Sequence, residues 1–143
     1  QNAFFNCTNI TSVTIPDGIW EIGGGAFQGC NSLTSVTIPE SVTWLWDHAF
    51  KDCTDLASLS LPSSLDYLGS ETFRNCTSLT SISLPESLNE RGYLGDYLFE
   101  NCTSLTSIHI PSGIKSIGMH VFDNTPYYNQ ASNWEGGVLY FDI

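Results

Sequence analysis

Positive charge is scarce in this sequence. Its 4 Lys and Arg face 15 Asp and Glu, giving a formal net charge of −11 over 143 residues. Nucleic acid and anionic membrane surfaces would repel such a chain, so neither is expected as a partner. Long apolar runs are missing too. None approaches eighteen residues, so no bilayer-spanning helix and no membrane insertion are expected. The 5 Cys are odd in number and form no CxxC pair, so neither a zinc site nor a closed disulfide framework is signalled. No twelve-residue calcium loop occurs, and no metal or cofactor is expected. An N-terminal Met and a basic-then-apolar leader are both lacking. The chain opens Gln1, Asn2, Ala3 and is expected to be an excised or processed piece.

Apolar and aromatic residues are plentiful. Hydrophobic residues make up 41%, and 8 Phe, 6 Tyr and 4 Trp are spread along the chain, which excludes disorder. The length fits one domain with a sizeable core.

The order of these residues is periodic. Cys7, Cys30, Cys53, Cys76 and Cys102 are spaced by 23, 23, 23 and 26 residues. Pro16, Pro39, Pro62, Pro85 and Pro111 repeat the same spacings. Phe4, Phe27, Phe50, Phe73 and Phe99 each precede a Cys by three, and Phe122 continues that column, with Thr125 in the place of a sixth Cys. Each unit carries the pattern Leu33-x-x-Val36-x-Ile38-Pro39, recurring as Leu56/Leu59/Leu61, Leu79/Ile82/Leu84 and Leu105/Ile108/Ile110. Val36 and Ile38 alternate with Ser35 and Thr37, which is strand periodicity. Pro39 cannot donate to a ladder and ends the strand. A second apolar pair follows (Ile19/Ile22, Val42/Leu45, Leu65/Leu68, Leu88/Leu94, Ile114/Ile117), then usually a glycine where the chain is expected to turn. One such unit cannot bury its apolar face alone, whereas stacked units build a continuous core. The predicted fold is a leucine-rich repeat solenoid, mainly β with short turns or 3-10 segments, of about five to six rungs over residues 1–125. Residues 126–143 are expected to cap its end or bridge onward, with a turn and then a strand in residues 134–141.

The Leu-x-x-Val-x-Ile-Pro strand, the Ile-Gly turn and the Ala-Phe-x-x-Cys stretch together resemble the BspA-type leucine-rich repeat. This 23-residue class is found on bacterial and some protist surface proteins. The resemblance covers roughly residues 3–125. It implies a secreted or cell-surface protein with an adhesive or ligand-binding role, and it leaves the ligand open.

Besides fading after Phe122, the repeat is departed from in two places. The 26-residue interval puts three extra residues within residues 89–93, and insertions in solenoids fall in loops on one face. Trp46 stands where other units have Gly23, Gly69, Gly95 and Gly118.

Catalysis is not signalled. His48 and His120 share a column three rungs apart, roughly 14 Å at the strand spacing, and His109 lies on another side of the rung. No nucleophile–His–acid set follows, and Gly23, Gly24 and Gly25 lack a phosphate-loop signature. The Cys column reads as small buried thiols and the Phe column as a core stack. Outward Ser and Thr of the strands read as a solvated β surface. Asn-x-Ser/Thr triplets at Asn6, Asn9, Asn75 and Asn101 follow largely from repeat copying.

One column stands apart. The residue before the second apolar of each pair reads Glu21, Trp44, Tyr67, Tyr93 and Ser116, and its position should face outward. Exposed aromatic rows mark binding sites. Trp20, Trp46 and Tyr97 would extend the row, with Asp47, Asp66 and Asp96 nearby as acceptors of hydroxyl hydrogens. Pyranose rings stack on aromatic faces, and a β-linked glucan advances about 5 Å per sugar, close to the strand spacing. The favoured ligand is therefore a linear polysaccharide such as a β-glucan or another plant cell-wall glycan, bound by a monomer outside the cell. A protein partner and a plain scaffold are the alternatives. With only 4 cations on the chain, sugar is favoured over a protein surface.

Overall fold

The computed structural model describes residues 1–130 and the two short strands Trp134–Glu135 and Val138–Leu139. The repeats stack in parallel into a β-solenoid of about five turns. Two rows of strands run along it. The first row holds Ser12–Thr14, Ser35–Thr37, Ser81–Ser83 and Ser107–His109. The second holds Glu21–Ile22, Trp44–Leu45, Tyr67–Leu68, Tyr93–Leu94 and Ser116–Ile117. Pairing follows the repeat: Val13 opposes Val36, and Glu21, Trp44 and Tyr67 lie in one register. In the first row Val36, Ile82 and Ile108 are buried while the flanking Ser, Thr and His stay exposed, the alternation that the sequence predicts.

The core is one continuous cluster of the repeated apolar positions. Phe4, Phe27, Phe50, Phe73, Phe99 and Phe122 form a parallel stack, with centroids 5.2 to 6.0 Å apart and interplanar angles of 7° or less. Full burial of each such ring contributes about 1.5–3 kcal/mol. Tyr127, carried by the four-residue helix Pro126–Asn129, packs on Phe122 at 5.7 Å and extends the stack. Beyond it, Trp134–Glu135 pairs antiparallel with Val138–Leu139, so two strands stand where one is predicted. The rest of residues 131–143 lies outside the described residues.

The cysteines are free thiols, and four of them are buried. Each buried Sγ donates to the Phe carbonyl of the rung before: Cys30 to Phe4 at 3.0 Å, Cys53 to Phe27 at 3.2 Å, Cys76 to Phe50 at 3.2 Å and Cys102 to Phe73 at 3.0 Å. Thr125, in the sixth Cys position, turns its hydroxyl to the Phe122 carbonyl of its own rung at 2.7 Å.

The third side of each rung is a double turn. Its N–H groups donate to carbonyls of the following rung, as Phe27 does to Ala49 and Asn75 to Glu100. Two residues per rung take left-handed φ. One column is Asn2, Gly25, His48, Glu71, Tyr97 and His120; the other is Asn6, Gly29, Asp52, Asn75, Asn101 and Asn124. Asn tolerates this conformation best among non-glycine residues. Its amides also join into a ladder, Asn124 to Asn101, Asn101 to Asn75 and Asn75 to Asp52 at 2.6 to 2.8 Å.

The recurring glycines Gly69, Gly95 and Gly118 stand where each strand passes into the turn, as expected, but they do not supply positive φ. They supply room. A Cβ at Gly69 would strike the backbone of Asp47 and the carbonyl carbon of Trp46, the latter at 2.7 Å, and one at Gly95 would meet Ser70 Oγ at 2.7 Å. Beside Trp46 the rung before carries Gly24, where the later rungs carry Asp47, Ser70 and Asp96.

Candidate functional site

The second strand row places Trp44 directly beside Tyr67, since one repeat separates them. Trp46 lies two residues on, so its ring reaches the same side. The three rings form a cluster: Trp44 to Trp46 at 5.1 Å, Trp44 to Tyr67 at 5.2 Å and Trp46 to Tyr67 at 5.5 Å, tilted by 36° to 60°. They are half-buried against one another rather than laid out flat. Trp20 before them is 59% exposed and Tyr93 after them 47%, so the two ends of the tract are open. Trp46 Nε1 donates to Glu21 Oε2 at 2.7 Å, tying the cluster to the preceding rung.

Asp47 and Asp96 occupy equivalent turn positions two rungs apart. Each Oδ1 accepts a backbone N–H from the next rung, Ser70 or Met119, at 2.9 Å. Each also accepts a tyrosine O–H, Tyr67 at 3.4 Å and Tyr93 at 3.1 Å. Burial first, and then the nearby carboxylate, raise both phenols above their ordinary pKa. Asp66 is exposed.

The three extra residues break the second row. Glu86–Glu90 forms a 3-10 turn, Gly92 takes φ +61°, and Tyr93–Leu94 pairs with Ser116–Ile117 but not with Tyr67–Leu68. Gly69 donates to Leu45 and Gly118 to Leu94, both at 2.8 Å, whereas Gly95 makes no such bond to Leu68. A cleft of about 260 Å³ opens in that gap, lined by Asp66, Tyr67, Leu88, Arg91, Tyr93 and Gly95 among others. Arg91 stacks over both Trp44 and Tyr67, 5.0 and 5.1 Å from their centroids. Sequence reasoning does not single out Arg91. Its place inside the insertion, beside the aromatic column, is the signal that could have found it.

Tyr97 is drawn elsewhere. Its left-handed turn position stacks it on His120 at 5.1 Å, with Arg74 over its ring at 5.2 Å. Arg74 belongs to a charge network centred on Glu71. Lys51, Arg74 and His48 approach that carboxylate at 2.7, 2.9 and 3.2 Å, and Arg74 Nε forms an ion pair, poorly aligned for hydrogen bonding, with Glu100. Burial would raise the Glu71 carboxyl, but the hydrogen bonds and charge of Lys51, Arg74 and His48 outweigh it and hold it at about 2. Among the described residues, no group of three His, Cys, Asp or Glu could hold a metal. No helix among them is long and apolar enough to cross a membrane.

Comparison with known proteins agrees with this geometry. The BspA type leucine rich repeat region matches residues 1–129 in six copies. No curated protein matches. Among solved structures, the T. pallidum leucine rich repeat protein is 29% identical over 88% of this chain and 68% of its own, with a TM-score of 0.66. A leucine-rich repeat protein from Bacteroides ovatus is 30% identical over 85% of this chain and 37% of its own, with a TM-score of 0.69. A leucine rich cell surface protein from Faecalibacterium prausnitzii, 24% identical over 88% and 42% with a TM-score of 0.62, shares the fold. The chain therefore spans well under half the length of two of these relatives. Binding or scaffolding is what this repeat family offers. With matched repeats along nearly its whole length, the chain belongs to the BspA-type leucine-rich repeat family.

Proposed function

We propose that this chain is a non-catalytic binding module, displayed outside the cell or on its surface, whose ligand is a linear polysaccharide. One observation carries this reading: the Trp44, Trp46 and Tyr67 cluster is flanked by the exposed Trp20 in the rung before and the exposed Tyr93 in the rung after, which together we read as one aromatic tract. Large exposed aromatics mark interaction sites. Trp20 and Tyr93 offer open faces for stacking, and the clustered rings hold the tract rigid. Asp66 accepts sugar hydroxyls directly. On Asp47 and Asp96 the contacts fall on Oδ1, which leaves Oδ2 for the same task. Tyr97 sits with Arg74 and His120 and belongs to this site only if the chain bends round to the turn face.

Affinity electrophoresis against β-glucans, xyloglucan, xylan, mannans and pectin tests it. Retardation is expected from at least one polymer, weakened at least about tenfold by Trp20→Ala or Trp44→Ala, about 1.4 kcal/mol. Trp20 has no ring contact among the described residues, so its variant should keep the wild-type melting temperature. Retardation unaffected by either variant would move the site off the tract.

A second reading has an observation of its own. Arg91 stacked on Trp44 and Tyr67 brings together the three residue types that dominate protein–protein hot spots. A panel without any polysaccharide binding would favour that reading.

A further inference from the structure

We propose that the cleft at the broken rung recognises the carboxylate of a uronic-acid residue carried on a mainly neutral glycan. This rests on the polysaccharide reading and names the sugar class that it favours.

Arg91 carries the inference. Lys51 and Arg74 are bound to Glu71. The Arg91 backbone N–H donates to Leu88, but its guanidinium has no hydrogen bond and no ion pair among the described residues, although the chain holds 15 acids. Its Cζ is held over the rings of Trp44 and Tyr67, 5.0 and 5.1 Å from their centroids. Cation–π contact engages the charge without using the N–H donors, and their fork matches a carboxylate.

The backbone adds donors. Where neighbouring rungs bond Tyr67 to Thr43, Ser116 to Gly92 and Gly118 to Leu94, the N–H groups of Tyr93 and Gly95 find no carbonyl in the rung before. Both residues line the cleft with Arg91. One lip is thus a set of donors. Asp66 lines the cleft as well and supplies an acceptor for ring hydroxyls, and the exposed Tyr93 offers a stacking face. A carboxylate with hydroxyls on a pyranose ring satisfies all of these groups.

Net charge selects the kind of polymer. At −11, the protein repels a dense polyanion at long range. A neutral backbone with occasional uronate side groups brings one carboxylate to Arg91 without that penalty.

The test compares glucuronoxylan with the same polymer after its carboxyl groups have been reduced to alcohols, on wild-type protein and on Arg91→Gln. Affinity electrophoresis at physiological salt should show wild-type binding glucuronoxylan about tenfold more tightly than the reduced polymer, as expected for losing one charge-assisted pair. R91Q should lose the difference between the two. Equal wild-type binding to both polymers would overturn the inference, and so would an undiminished preference in R91Q. Wild-type binding confined to neutral β-glucans would overturn it while leaving the polysaccharide reading intact. Absence of binding across the whole polysaccharide panel would overturn both. The wild-type comparison needs no variant, so it stands even if R91Q is poorly folded.

Discussion

Single residues in this protein are chosen by what the next rung requires of them. A buried thiol is small enough for the core and still donates to a carbonyl that already accepts the Cys backbone N–H of its own rung. Cys76→Ala should therefore cost about 1–2 kcal/mol, from the lost second hydrogen bond to that carbonyl and the lost volume. Chemical denaturation of that variant beside Cys76→Ser, which keeps a donor, separates the two contributions. Burial pushes the Cys53 and Cys102 thiols up to about 12, and Cys76 well above its ordinary value. A thiol reagent at pH 8 should label Cys7 rapidly and the four buried cysteines only as the protein unfolds. Equal labelling rates would contradict the buried ladder. Gly69 obeys the same logic in reverse. Gly69→Ala drives a methyl into the Asp47 turn, and about 1–3 kcal/mol of stability should be lost, readable as a lower melting temperature.

At the scale of strands and turns, the sequence columns translate directly into structure. The strand rows, the Phe stack and the register of Glu21, Trp44 and Tyr67 were all legible, because one repeat per rung leaves a single way to align them. The turn face was less legible. Nothing in the pattern says that His48, Glu71, Tyr97 and His120 share a left-handed conformation, so Tyr97 reads as part of the aromatic row when it stacks instead on His120. Ring tilt was also beyond reach. Adjacent aromatics on neighbouring rungs gain more by packing on each other than by lying flat in water. The Glu71 network gives this face a pH dependence. Its carboxyl is held at about 2, below the ordinary carboxylate range. The contribution is therefore full above the unfolded-state pKa and is lost as pH falls from about 4.5 towards 2. Wild-type should lose melting temperature over that interval more steeply than Glu71→Gln. Parallel curves would show that the network adds no net stability.

For the whole molecule, stacking does two things at once. It buries a core that no single rung could bury, and it turns every exposed position into a row along the solenoid. The three-residue insertion breaks one such row and places Arg91 and a cleft beside the aromatic tract. The central claim is that this tract is where a glycan lies. Its most direct test is a titration of the 15N-labelled protein with xylan-derived and β-glucan oligosaccharides, following the indole N–H signals of Trp20, Trp44 and Trp46. Saturable shifts in these signals with any one of the oligosaccharides, while amides of the Asn75 and Asn101 ladder stay still, are the predicted result. Shifts confined to the turn face, or indole signals unmoved by a sugar that binds, would contradict the account.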